Sequence, residues 1–250
     1  MLKGRFSRYA LAGAAMYCAA LVATAPARVA DTLLRRASAT TVVLTNTSGS
    51  LWSGRAQGAM VRSGNGTPFD LGTLEWRVRP LRLAAGELAA SLETGGRSHL
   101  SADVAMGLGG LIVRRASGTI DAGVLVLLLP KLAGWKPSGV LQVASDGFSA
   151  SRGTGEGAVT LEWRGARFAG REERMGDYRI VLHGAADGMR LSLSTLSGPL
   201  RLDGEGRWTR AEGWTLEATA AAPRDVGATL GDLAKLLGPP GADGKYRIRL

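Results

Sequence analysis

Cysteine is almost absent: Cys18 is the sole thiol in 250 residues, and it lies inside an apolar N-terminal stretch. No intrachain disulfide and no multi-cysteine metal site can form, so the fold holds itself together without them. Histidine is nearly as scarce, with His99 and His183 alone, and neither sits in a zinc-binding spacing such as H-E-x-x-H. Both fall on the polar side of alternating runs, where surface or turn histidines belong. The G-x-S-x-G elbow, the phosphate loop and the S-x-x-K motif are missing, and Gly153, Gly155 and Gly157 lack the spacing of a dinucleotide fingerprint. These patterns supply no catalytic residue, no metal ligand and no cofactor, and the chain is read as non-enzymatic.

Concentrated basic charge is lacking as well. The formal charge is +10, but Lys3, Arg5 and Arg8 precede the first apolar stretch, and most later arginines alternate with acids. A nucleic-acid surface gathers its arginines into one stripe with interleaved aromatics, so no nucleic-acid partner is expected. Attraction to anionic lipid headgroups stays open. Carboxylates near strands, Asp70, Glu75, Asp103 and Glu162, make a glycosidase-like pair imaginable. Their alternation with apolar neighbours places them on a solvated face, whereas a general acid needs partial burial to raise its pKa.

The N-terminus carries a clear signal. Residues 1–8 hold three positive charges and no acid, and residues 9–27, YALAGAAMYCAALVATAPA, hold no charge at all. This is an export signal. Ala23-Thr24-Ala25 and Ala25-Pro26-Ala27 are small-residue cleavage sites, but Pro26 follows the first and lies within the second. The stretch approaches the roughly 20 residues that span a bilayer, which favours an uncleaved anchor with its positive flank in the cytoplasm.

Glycine is abundant, with 36 residues, about twice the usual share and without a collagen period. Many short strands joined by tight turns are the expected result. Period-two alternation supports this: Gly72, Leu74, Trp76 and Val78 face one way and Thr73, Glu75, Arg77 and Arg79 the other. Leu88, Ala90 and Leu92, then Leu100, Ala102, Val104 and Met106, repeat the pattern. So do Val159, Leu161 and Trp163, Leu191 and Leu193, Leu200, Leu202 and Trp208, Trp214, Leu216 and Ala218, and the closing Tyr246, Ile248 and Leu250. Turns at 184–188 and 204–206 suit an antiparallel meander.

Two segments break the alternation. Ala122 to Leu129 is a continuous apolar run stopped by Pro130, and Val226 to Leu237 has helical apolar spacing stopped by Gly238-Pro239-Pro240. Each is a candidate short helix packed on the sheet, the first equally a buried strand. The tetrapeptide LEWR occurs at Leu74–Arg77 and again at Leu161–Arg164, consistent with two related halves divided near 130–138.

Within this frame Gly49-Ser50-Leu51-Trp52-Ser53-Gly54 resembles the GSLWSG-type motif near the start of the periplasmic part of the type II secretion system protein N family. Trp76, Arg79-Pro80-Leu81, Leu83 and Gly86-Glu87-Leu88 are similar to the pattern that follows it, and Leu236-Leu237-Gly238 with Asp243-Gly244-Lys245-Tyr246 to the terminal pattern. The resemblance marks Gly49, Leu51, Trp52, Ser53, Gly54, Trp76 and Pro80 as a motif with a structural role, glycines for tight backbone geometry and tryptophans for apolar bulk. It implies an accessory inner-membrane component of the type II, or general, secretion pathway, partnered with other components of that system and with membrane lipid through its N-terminal helix. The alternative is a periplasmic lipid-binding or lipid-transfer protein of AsmA-like type. The expected architecture is mainly β: a cytoplasmic tail at 1–8, a transmembrane helix at 9–27, and a juxtamembrane segment with a first strand at 28–48. A curved antiparallel sheet domain at 49–250 follows, with one or two short packing helices. The sequence carries no signature of an oligomeric state or of partner-binding residues.

Overall fold

In the computed structural model the residues described are 13, 16–17, 20–36, 42–62, 68–96, 98–127, 133–134, 136–151, 154–168, 173–213, 215–221 and the backbone of 37, 128, 214 and 246–249. A helix α1 (Ala27–Ala37) is followed by six strands: β1 (Val42–Gly49), β2 (Ser53–Arg62), β3 (Pro68–Arg79), β4 (Glu87–Gly95), β5 (His99–Gly107) and β6 (Gly110–Asp121). A 3-10 turn at Pro80–Ala85 joins β3 to β4. After β6 come a 3-10 turn at Ala122–Val124 and a single helical turn α2 (Leu125–Leu128). Seven more strands follow: β7 (Ser138–Ser151), β8 (Thr154–Arg167), β9 (Gly176–Ala185), β10 (Gly188–Ser197), β11 (Arg201–Thr209), β12 (Gly213–Ala221) and β13 (Tyr246–Arg249).

All thirteen strands form one antiparallel sheet whose spatial order is the chain order. The expected meander is therefore present throughout the described strands. Strand ends alternate between two ends of the sheet. The β1–β2, β3–β4, β5–β6, β7–β8, β9–β10 and β11–β12 connections lie at what we term the near end, and the rest at the far end. Register shifts in the β2–β3, β5–β6, β7–β8, β8–β9 and β9–β10 pairs insert bulges. Bulges bend strands and raise their twist, and open sheets of more than about ten strands curl.

The apolar face is covered by the chain's own parts. Near β1–β3, α1 sets Ala27 and Ala30 against Leu44, Ala56, Ala59 and Trp76. Farther along, the Ala122–Leu128 segment folds over the sheet and buries Ala122 and Leu125 among Leu141, Trp163, Tyr178 and Leu202. Asp121 starts this turn by accepting a hydrogen bond from the Gly123 amide at 2.7 Å. Phe69 and Leu71 of β3 pack against the same cluster, and Leu71 touches both cores. The apolar run at 122–129 thus becomes a packed helical turn over its described part, while the Val226–Leu237 helix expected from the sequence lies outside the described residues.

Among the described residues no helix is long and apolar enough to cross a membrane. Residues 1–8 and eight of the nineteen residues 9–27 lie outside them. The helical backbone at 20–23 ends before Pro26, which bridges to Ser50, and α1 begins directly afterwards. α1 also protects the sheet edge. The Asp31 carboxylate accepts the Leu44 amide of β1 at 3.0 Å while Arg35 donates to both its oxygens. An edge amide engaged in this way is no template for a foreign strand.

Candidate functional site

The motif residues meet at the near end. β1 and β2 close a hairpin in which Gly49 pairs with Gly54, and the Ser50 amide donates to the Ser53 carbonyl at 2.8 Å. Gly49 has φ +90°, and a Cβ there would sit 2.6 Å from the Ser53 oxygen. Only glycine fits this position. Gly54 is required for a different reason. The indole of Trp76 lies directly over it, so that an added Cβ would overlap Cζ2 of the ring and come within 2.9 Å of the Ser48 oxygen.

Trp76 then closes the turn. Its Nε1–H donates to the Leu51 carbonyl at 3.0 Å, and the Val78 amide donates to the Trp52 carbonyl at 2.6 Å. Trp76 is buried, Leu51 and Trp52 are half-buried, and Ser53 and Pro80 are exposed. Trp52 points its ring nitrogen elsewhere, donating from Nε1 to the Val22 carbonyl at 2.8 Å, while the Leu51 amide donates to Ala25 at 2.8 Å. The hairpin tip is thus a clamp: Trp76 holds it from below, and it holds residues 22–25 from above. Pro80 stands apart from the clamp as the opening residue of the 3-10 turn after β3.

The same device recurs on β7 and β8. Trp163 Nε1–H donates at 3.1 Å to the carbonyl of Ser138, a residue 25 positions upstream, the same offset as in the Trp76 to Leu51 bond. Gly54 faces Trp76 and Leu141 faces Trp163 at the same register, and a bulge follows in each hairpin. Trp163 and Tyr178 are buried, and Phe168 meets the Trp163 ring edge-on at 5.1 Å. Tyr178 donates its hydroxyl proton to the Leu200 carbonyl at 2.9 Å. Burial, followed by the negative charge of neighbouring Asp177, pushes the phenol upward and keeps it neutral.

Asp177 anchors the second half. It accepts from Arg174 at 2.7 and 2.6 Å, from the Gly165 amide at 2.7 Å and from Ser197 Oγ at 3.0 Å. The Arg174 guanidinium, with the Gly165 and Ser197 donors, outweighs burial and holds its carboxyl at about 2. A carboxylate so held ties the β8–β9 connection to β10 and has no proton to give.

The remaining titratable groups are spread over the solvated face. His99 and His183 are both exposed, on strands four apart and at opposite ends of the sheet, so they form no pair. Glu75 pairs with Arg55, and Asp103 with Arg79 at 3.3 Å and with Ser91 Oγ at 2.6 Å. Asp70 accepts the Gly72 amide at 2.8 Å. Glu162 is engaged by Arg179 and Arg164, and these donors lower its pKa, opposite to the shift a general acid requires. No group of three or more metal-binding side chains occurs among the described residues. A shallow groove of about 560 Å3 crosses the polar face of β9–β12, lined by His183, Arg190, Ser192, Glu205, Arg207 and Glu217. Its mixed charges suit neither an acyl chain nor a single ionic ligand.

Sequence reasoning identifies the motif but not its contacts. The Val22 and Ala25 bonds and the Asp177 network join residues far apart in the chain, and no local pattern announces them. The family model for type II secretion system (T2SS), protein N, matches residues 40–249. No curated protein and no solved structure matches the chain.

Proposed function

The chain belongs to the type II secretion system protein N family, and from that membership we propose a non-enzymatic accessory role at the inner membrane in the pathway that exports folded proteins across the outer membrane. In this reading residues 1–8 stay in the cytoplasm, the apolar stretch that opens at residue 9 crosses the membrane ahead of the clamped residues 22–25, and the sheet, with Pro26 and Ala27 packed on it, lies in the periplasm. There it contacts other secretion components. The family match over the whole sheet carries the proposal. The ion-paired carboxylates and separated histidines agree with a scaffold more readily than with a catalyst.

The clamp at 49–54 gives the motif a physical task within this reading. It fixes the exit of the N-terminal segment against the first hairpin, so the sheet is held at a defined angle to its anchor. Gly49, Leu51, Trp52, Ser53, Gly54 and Trp76 serve that joint, and Pro80 serves the adjoining turn. The two halves are read as duplicated hairpin units, because one offset of 87 residues relates Trp76 to Trp163 and Leu51 to Ser138. The AsmA-like lipid-transfer alternative needs an open apolar channel. Under β6–β12 that face is filled by Trp163, Phe168, Tyr178, Leu200 and Leu125.

The test is co-purification of tagged full-length protein in mild detergent, with mass spectrometry of bound proteins and lipids. Other secretion components without stoichiometric lipid are expected. Stoichiometric phospholipid or lipopolysaccharide with no secretion component would overturn the proposal in favour of lipid handling.

A further inference from the structure

Large apolar side chains usually leave water when a fold offers them cover, and at the near end several do not. Leu81 is 89 % exposed and Leu108 is 88 % exposed. Leu81 belongs to the Pro80–Ala85 turn, whose sequence PLRLAA buries no side chain at all. Leu108 occupies the tip of the β5–β6 hairpin between Gly107 and Gly110, a place normally given to polar turn residues. Behind these two points runs a cross-strand row, Leu88 opposite Met106 opposite Leu111, also exposed. The alternation pattern expects Leu88 and Met106 to face a core. They face outward because no element of the described chain covers this end of the sheet.

This end is also where the N-terminal segment is held. Trp52 binds Val22 and Val78 binds Trp52, so Leu81 lies three residues beyond a strand position bonded to the clamp. Leu21 and Val22 are themselves about half exposed. Charge accompanies the apolar points. Arg82 and Arg114 both pair with Glu87, two guanidinium groups against one carboxylate, which leaves a net positive rim. Protruding leucines ringed by arginine match an anionic bilayer interface, which accepts apolar points at shallow depth and attracts cations. A flat complementary protein surface would be served poorly by two separate prominences.

We propose that the near end of the sheet is a second membrane contact: Leu81 and Leu108 enter the interfacial zone of the bilayer crossed by the N-terminal apolar stretch, and Arg82 and Arg114 meet anionic headgroups. The inference rests on the reading of that stretch as a membrane segment. With two contacts the sheet has its polar and apolar faces standing at a fixed orientation to the bilayer instead of swinging on a single tether.

The lone native cysteine makes a direct test available. Full-length protein is reconstituted in vesicles of phosphatidylethanolamine and phosphatidylglycerol, carrying an environment-sensitive fluorophore at Leu81→Cys, Leu108→Cys or, as a far-end control, Ser101→Cys, each with Cys18→Ser. A fourth sample is labelled at native Cys18. Lipid-borne quenchers are expected to quench labels at 81 and 108 several-fold more than at 101. Labels at 81 and 108 as open to aqueous iodide as the label at 101 would overturn the proposal, and shielding from both quenchers would replace lipid by a protein partner. The Cys18 label separates the two readings. Lipid quenching at 18 with water at 81 and 108 sinks the second contact alone, whereas lipid quenching at 81 and 108 with water at 18 sinks the anchor alone.

Discussion

The contact between Gly54 and Trp76 lends itself to a double-mutant cycle. Trp76→Phe removes the Nε1–H donor to the Leu51 carbonyl at 3.0 Å, which costs about 1 kcal/mol net. The smaller ring leaves space unfilled beneath the turn and adds about 1 kcal/mol. Gly54→Ala places a methyl group against Cζ2 of the indole and within 2.9 Å of the Ser48 oxygen. Overpacking of that kind costs roughly 1–3 kcal/mol. Strictly additive effects would put the double variant about 4 kcal/mol below the parent. Phenylalanine lacks the indole benzo ring that the methyl group strikes, so the two changes relieve one another. The double variant is expected to lose about 2–3 kcal/mol, a coupling of about 1 kcal/mol or more. Urea unfolding of the full chain in detergent, followed by far-UV circular dichroism, measures all four corners without depending on tryptophan fluorescence. Additivity to within about 0.5 kcal/mol would refute the stacking of Trp76 on Gly54 as the element that sets the turn.

Trp163→Phe should cost about as much as Trp76→Phe, since each loses the same bond to a carbonyl 25 residues upstream; a difference beyond about 2 kcal/mol in the same unfolding assay would speak against equivalent halves. Asp177 has a folded pKa of about 2, below the ordinary 3.8, so its stabilisation is fully present above the ordinary value and vanishes as pH falls through about 2. Asp177→Asn is therefore expected to lose about 1–2 kcal/mol at neutral pH. In acid titration its stability should converge on that of the parent, and a gap independent of pH would contradict the assignment. Asp31→Ala frees the Leu44 edge amide; hydrogen exchange at Leu44 should quicken about tenfold or more with little change at β8, and unchanged exchange would show that the edge is guarded otherwise.

Period-two alternation reveals β3, β8, β10 and β11 because their inward positions hold leucine or tryptophan at even spacing. It fails on β2 and β7. In β2 the buried alanines are Ala56 and Ala59, an odd spacing created by the bulge between them. In β7 serine and glycine occupy positions around a second phase shift at Ala144 to Gly147. A bulge inserts a residue into one strand, and from there onward the written pattern and the buried face disagree. The motif is legible as glycines and tryptophans. Its partners are not, because Trp76 reaches Leu51 only through the β2–β3 register, which the bulge controls. The Asp177 network follows the same logic: Arg174, Gly165 and Ser197 converge on it only after β8, β9 and β10 are aligned.

The strand order bears on how such a chain reaches its final state. In a sheet where every strand bonds only to its neighbours in sequence, a chain threaded out from its N-terminus offers each arriving strand a waiting edge, and most closures other than β6–β7 and β12–β13 span a short loop of low entropic cost. The core containing Ala27, Leu44, Trp76 and Leu92 is complete once the first 92 residues have emerged. Ala122 and Leu125 arrive before most of their partners, Trp163, Tyr178, Leu200 and Ala220. Until those strands appear, the half-built sheet carries an uncovered apolar turn and a bare edge, so the passage of residues 129–220 is the interval in which a chaperone or a stalled neighbour has most to grip.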